Sequence, residues 1–148
     1  MTAVSTLAKN KRAYFDCNIL EKYEAGIVLA GHEVKSIKLG HLSLQGSYVA
    51  IRNNEAFLLN MHISPYQPQN IPRDYDPTRT RKLLLKRSET KTLIGRSHAQ
   101  GLTILPLSVY TKRGKIKLEI GLARSKKKYE KRELIKKRDI EREMREGM

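Results

Sequence analysis

The densest chemistry in the chain lies in Asp76-Pro77-Thr78-Arg79-Thr80-Arg81-Lys82, where arginine and threonine alternate. In an extended backbone, period two sets Arg79 and Arg81 on one face. Their planar guanidinium forks match phosphate, and the threonine hydroxyls beside them can bond phosphate or sugar. A second basic group, Lys112-Arg113-Gly114-Lys115 with Lys117, surrounds a turn-forming glycine. Tyr48, Tyr66, Tyr75 and Tyr110 are interleaved with these groups, and such rings can stack on unpaired bases. Taken singly, each of these residues is explained equally well as a solvated loop or a core tyrosine. Taken together, they favour a nucleic-acid ligand.

Other chemistries find little support. His32, His41, His62 and His98 are scattered without HxH or HxxxH spacing, so surface histidines explain them better than metal ligands, and no metal is expected. There is no P-loop, no GxGxxG and no GxSxG. Asp74 and Asp76 stand beside Arg73, Arg79 and Arg81, where charge pairing explains them better than acid–base catalysis. Cys17, the single cysteine, rules out an intramolecular disulfide and reads as a small buried hydrophobe suited to a reducing cytoplasm. No catalytic machinery and no cofactor are expected.

The charge balance supports the same ligand class. Of 148 residues, 30 are Lys or Arg and 15 are Asp or Glu, a net charge of +15 and a pI near 10.1. This length suits one domain. No apolar run nears the roughly 18 residues of a membrane span. No secretory signal is expected at the N-terminus, and a cytoplasmic location with no membrane partner follows. Residues 124–148 hold 11 basic and 6 acidic residues, and residues 1–123 hold the remaining 19 and 9. The tail's few large apolar residues make no clean helical stripe, so it is expected to be disordered alone. It contains no proline, and Glu133–Lys137 and Glu141–Arg145 are well-oriented i,i+4 pairs. Such a segment reads as a helix that forms on an anionic surface. The plainer alternative is a solvated basic tail.

The elements that must carry these groups are mostly strands. Ala13–Ile19 and Gly26–Leu29 read as short strands, and Glu33–Leu39 as a short helix stopped at Gly40. Ser47–Ile51 and Ala56–Ile63 flank Asn53-Asn54, a hairpin turn signal. Pro65 to Pro77 is a loop, Lys82–Leu85 a strand, and Ser88 a candidate cap for a helix to about Gly95. Leu102–Tyr110 and Lys115–Ala123 form a second hairpin about Arg113-Gly114, with Ile116, Leu118, Ile120 and Leu122 alternating against polar neighbours. The fold class is mainly β. We expect an OB-like antiparallel barrel with short flanking helices over residues 1–123, flexible through residue 9, followed by the basic tail over 124–148.

Several strings then match one family in order: Asn10-Lys11-Arg12-Ala13, Tyr23-Glu24-Ala25-Gly26-Ile27-Val28-Leu29, Glu33-Val34-Lys35-Ser36-Ile37, Asn60-Met61-His62-Ile63, Asp76 through Leu85, and Tyr129-Glu130-Lys131-Arg132. From about Asn10 into the tail, the chain resembles the bacterial SsrA-binding proteins, also called small protein B. The resemblance implies an OB-like barrel that binds the tRNA-like domain of transfer-messenger RNA and delivers it to ribosomes stalled without a stop codon. It implies partners in the small-subunit decoding centre and the mRNA channel, and, through the RNA, elongation factor Tu and alanyl-tRNA synthetase. A monomer is expected. The tail would become helical in an empty channel, making the protein an adaptor and sensor rather than an enzyme.

Family positions important for RNA binding fall on Glu24, Leu84 and Lys117, and Lys86 stands where relatives often carry Asn or His. Together with the basic groups, the expected RNA-binding set is Glu24, Arg79, Arg81, Lys82, Leu84, Lys86, Lys112, Arg113 and Lys117. The expected ribosome-binding set in the tail is Arg124, Lys126, Lys127, Lys128, Tyr129, Lys131, Arg132, Lys136, Lys137 and Arg138, with Tyr129 placed to stack on a decoding-centre base. Two rivals remain: a ribosomal or chaperone-like protein that coats structured RNA through charge, and an RNA-processing enzyme using Asp74 and Asp76.

Overall fold

The structure, a computed structural model, describes residues 4–66 and 74–126. In chain order the elements are β1 (Val4–Lys9), α1 (Lys11–Asp16), β2 (Cys17–Ile27), α2 (Gly31–Lys38), β3 (Leu42–Ser43), β4 (Tyr48–Arg52), β5 (Glu55–Leu59), β6 (His62–Ile63), β7 (Arg81–Leu84), α3 (Arg87–Gln100), β8 (Thr103–Lys112) and β9 (Lys115–Ser125). Seven strands make one antiparallel sheet in the order β1-β8-β9-β2-β7-β5-β4, and β3 pairs with β6 alone. The sheet curls so that β4 comes against β8, with no hydrogen-bonded ladder joining them. The expected barrel is therefore OB-like but open, and α3 lies beside the gap, where Ile94, Ser97 and His98 share a cleft with Val49, Ile51 and Ile104.

Both hairpin turns follow from residue type. Asn53 and Asn54 take φ of 52° and 62°, and Arg113 and Gly114 take 53° and 75°, the doubly left-handed turn that matches strand twist. Along β9 the alternation holds: Leu118, Ile120 and Leu122 are fully buried and face the core. Ile37 of α2, Leu58, Met61, Ile63, Leu93 of α3 and Val109 complete that core.

Five local expectations are corrected. The first half of Ala13–Ile19 is helix α1, because the buried Asn10 side chain accepts from Ala13 N–H (3.2 Å) and donates to the Pro106 carbonyl (2.8 Å). This cap and tether outweigh the strand preference of Tyr14 and Phe15. The helix expected to end near Gly95 runs to Gln100 and stops at Gly101, which has the left-handed φ of 61°. Its N-cap is Lys86, whose N–H is held by Glu89 rather than by Ser88. Residues 4–9, expected to be flexible, form β1 against β8. Cys17, expected to be buried, is half-buried at the start of β2.

Beyond Ala123 the strand continues. Arg124 pairs with Asn18 and Ser125 with Cys17, so the boundary drawn between residues 123 and 124 falls inside β9. Lys126 follows, its N–H donating to the Asp16 carbonyl (2.8 Å) and its Nζ to the Tyr14 carbonyl (3.0 Å). The remaining tail candidates, Lys127, Lys128, Tyr129, Lys131, Arg132, Lys136, Lys137 and Arg138, lie outside the described residues, as do residues 67–73 of the proline-rich loop.

Candidate nucleic-acid interface

Strand β7 sorts its side chains by period two. Arg81 and Leu83 point inward and are buried, while Lys82 and Leu84 point outward and are exposed. The expectation that the Arg79–Arg81 alternation would present guanidinium groups to a ligand is corrected here. The Arg81 guanidinium is fully buried against the Glu33 carboxylate, with Nε and Nη2 at 2.9 and 2.6 Å from Oε2. Arg81 also donates to the carbonyls of Met61 (2.6 Å) and Pro77 (3.0 Å). Arg79 bonds both oxygens of the same carboxylate, and the Ala30 N–H donates to it at 2.9 Å. Burial would raise the Glu33 pKa, but the bonds from Arg79, the Ala30 N–H and Arg81 outweigh that effect and hold it at about 2. The two arginines hold α2 against β7; Arg81 has no free fork for phosphate, and Arg79, 36% exposed, has its Nε and Nη2 taken by Glu33. Asp76 accepts from the Thr78 N–H (2.9 Å) and hydroxyl (3.0 Å), a turn-forming role, and these bonds hold its carboxyl below its usual range.

The outward face gathers the other candidates. Register runs Tyr110 of β8, Lys117 of β9, Gly26 of β2 and Leu84 of β7 in one row across four strands. Leu84 is 54% exposed and sits over Gly26, where a Cβ would meet the Leu84 Cβ at 3.4 Å. Two residues back along β2, Glu24 lies on the same face, accepting from the Tyr110 hydroxyl and standing 3.5 Å from Lys112 Nζ. The Tyr110 bond, with Lys112 and Lys117 nearby, holds the Glu24 carboxyl below its ordinary value despite partial desolvation. Burial and the same bond push the Tyr110 hydroxyl up. Glu24 is therefore a fixed, ionised acceptor flanked by cations. Such a group repels phosphate and selects donors: base amino and imino groups or 2′-hydroxyls.

Lys82 extends the face and pairs with Glu55 at 3.2 Å. Lys86 is exposed at the start of α3, and Arg113 stands at the tip of the β8–β9 turn. The fold thus brings Glu24, Leu84, Lys112 and Lys117 together, sets Lys82, Lys86 and Arg113 around them, buries Arg81, and ties the part-exposed Arg79 to Glu33. Of the four tyrosines, Tyr75 donates to the Ile63 carbonyl (2.9 Å), Tyr110 is buried against Glu24, and Tyr66 lies under Lys35 at 5.6 Å. Tyr48 presents an exposed ring, on the edge strand β4. Sequence reasoning missed Gly26, whose signal is a glycine inside a strand, and Val28, 47% exposed and bonded through its N–H to the Lys82 carbonyl. Among the described residues no group of three His, Cys, Asp or Glu stands together to hold a metal, and no helix is long and apolar enough to cross a membrane.

An open OB-like sheet whose solvent face carries a fixed carboxylate, an apolar platform and flanking cations defines a small β-sheet RNA-binding module. Residues 7–148 match the family model described as SmpB protein. The chain is 53% identical over 141 residues to the SsrA-binding protein of Persephonella marina, covering 95% of this chain and 92% of that one. It is 51% identical over 148 residues to that of Clostridium novyi, covering 97% and 94%. It also superposes on a chain of the solved structure "tmRNA-SmpB: a journey to the center of the bacterial ribosome" with a TM-score of 0.67 and 43% identity, over 82% of this chain and 85% of that one. The chain belongs to the SmpB family, the SsrA-binding proteins.

Proposed function

We propose that the protein binds the tRNA-like domain of transfer-messenger RNA and delivers it to ribosomes stalled without a stop codon. The observation that carries the reading is the outward row of Tyr110, Lys117, Gly26 and Leu84 with Glu24 beside it. A carboxylate held ionised at the centre of a basic surface serves selection among RNA groups and not charge neutralisation. The relatives' name, SsrA-binding protein, and the pairing of tmRNA with SmpB in the bacterial ribosome for the similar solved structure support the same partner. Glu24, Leu84, Lys117, Lys112, Arg113, Lys82 and Lys86 make the RNA face; Arg79 and Arg81 support it from behind.

The protein acts in the cytoplasm as an adaptor and not as an enzyme. Its basic tail, from Arg124 onward, enters the decoding centre and the vacant mRNA channel, becoming helical there, with Tyr129 stacking on a base. Intact mRNA would occupy the tail's path, so only a ribosome with an empty channel would accept the complex. The test is binding to transfer-messenger RNA against an unrelated RNA of equal length across a salt series. Preference for transfer-messenger RNA at every salt concentration supports the reading. Equal affinities with equally steep slopes, about 0.7 to 0.9 log units per phosphate contact, would assign the protein to the charge-driven coats instead.

A further inference from the structure

Beside the RNA face a groove of about 630 Å³ runs between the start of α3, strand β7 and the Asn53-Asn54 turn. Its walls carry Lys82, Arg87 and Lys91 against a single carboxylate, Glu55. Lys82 and Glu55 neutralise one another at 3.2 Å. Arg87 and Lys91 are both exposed and have no ion-pair partner among the described residues. They stand four residues apart on α3, so they project from one side of the helix at about one turn's spacing. The groove opens beside Leu84 and Lys82, the outer residues of the proposed RNA face, and the exposed Leu84 with the half-buried Leu85 lends it apolar surface.

We infer that this groove takes a further stretch of the same RNA's sugar-phosphate backbone, with Arg87 and Lys91 as two phosphate contacts and the leucine surface against ribose. Three features commit it to a polyanion. Two uncompensated cations on helix positions about 6 Å apart suit successive phosphates of a strand. The groove continues the surface already assigned to RNA. Its one carboxylate is already held by Lys82. The inference rests on the reading that the protein binds transfer-messenger RNA, and it adds residues in which the chain's alternating arginine–threonine motif has no part.

The test uses the full chain with Arg87→Gln and Lys91→Gln together, changes that keep helix-forming side chains on exposed positions. Transfer-messenger RNA and an unrelated RNA are each titrated from 50 to 200 mM salt in about five steps. The wild type should prefer transfer-messenger RNA. The double variant should lose about tenfold in affinity for it at the low-salt end, with the log–log salt slope shallower by about 1.4 to 1.8, two phosphate contacts' worth. An unchanged slope in the variant, with the wild type's preference intact, would overturn the groove assignment alone. A wild type with no preference would overturn the underlying reading. Phosphate-ethylation interference on the bound RNA adds a readout that folding defects do not mimic: two adjacent interfering phosphates should disappear from the variant's pattern. If the same phosphates interfere in both proteins, or if an acidic peptide but no RNA binds the groove, the inference fails.

Discussion

Glu24 sits where a protein driven only by charge would place another lysine. Tyr110 and Lys112 hold it ionised and aimed outward from β2, and its pKa lies below the usual carboxylate range because of them. Replacing it with alanine makes the protein more basic, so generic attraction to RNA should rise. We predict the opposite for transfer-messenger RNA. Glu24→Ala should weaken binding by about tenfold, the scale of one hydrogen bond to a charged group. Tighter or unchanged binding in a titration would remove Glu24 from the recognition surface. Gly26 acts one neighbour away. Its missing side chain lets Leu84 lie across β2, with 3.4 Å between the Leu84 Cβ and the place a Cβ would take. Gly26→Ala should be tolerated, since 3.4 Å is ordinary contact, whereas Gly26→Val should displace Leu84 and cost RNA affinity with little change in melting temperature. A valine variant that binds normally would show that the position of Leu84 is immaterial.

At the scale of elements, the buried Glu33–Arg81 pair with Arg79 joins α2 to β7 and so fixes the strand that presents Lys82 and Leu84. Removing one partner leaves an uncompensated buried charge, so Glu33→Gln should cost about 3 to 5 kcal/mol, on the order of 10 °C in Tm. The pair also sets an acid limit. Glu33 titrates near 2 in the folded protein against 4.5 unfolded. The folded pKa is the lower one, so this stability is present above about pH 4.5 and is lost as pH falls toward 2, in total about 3 kcal/mol. Denaturation midpoints measured from pH 6 down to 2 should fall in that window, and the Glu33→Gln variant should show a flatter acid limb. An identical acid limb in both proteins would contradict the assignment.

The same elements show what was legible in the sequence. Hairpins were readable because Asn53-Asn54 and Arg113-Gly114 carry their turn chemistry locally, and β9 because Ile116, Leu118, Ile120 and Leu122 recur at every second position. The Arg79–Arg81 alternation was readable as a shared face. Which face it was depended on Glu33, nearly fifty residues away, and no local signal carries that. Helix α1 was missed for the same reason: Asn10 is committed by the Pro106 carbonyl across the fold. Glu24 and Leu84 were reached through the family's strings, and Lys117 also through the basic turn. Register then set Lys117 and Leu84 in one row through Gly26, with Glu24 two residues back on the same face.

For the molecule as a whole, the surplus of +15 divides between the sheet, which carries the proposed RNA face, and the tail that follows from its last strand. Because β9 runs to Ser125 and Lys126 is bonded to Tyr14 and Asp16, a cut after Ala123 would damage the sheet itself. Truncation after Lys126 separates the two parts cleanly. The shortened protein should keep its affinity for transfer-messenger RNA within a few-fold. Loss of that affinity in a binding titration would place RNA recognition partly in the tail.

The most direct measurement is tagging in a purified translation system stalled on an mRNA without a stop codon, supplied with aminoacylated transfer-messenger RNA and elongation factor Tu. Full-length protein should add the tag to the stalled chain, and protein truncated after Lys126 should bind the RNA yet add none. Tagging that proceeds equally without the protein, or that survives loss of the tail, would contradict the role of an adaptor that tests for an empty channel.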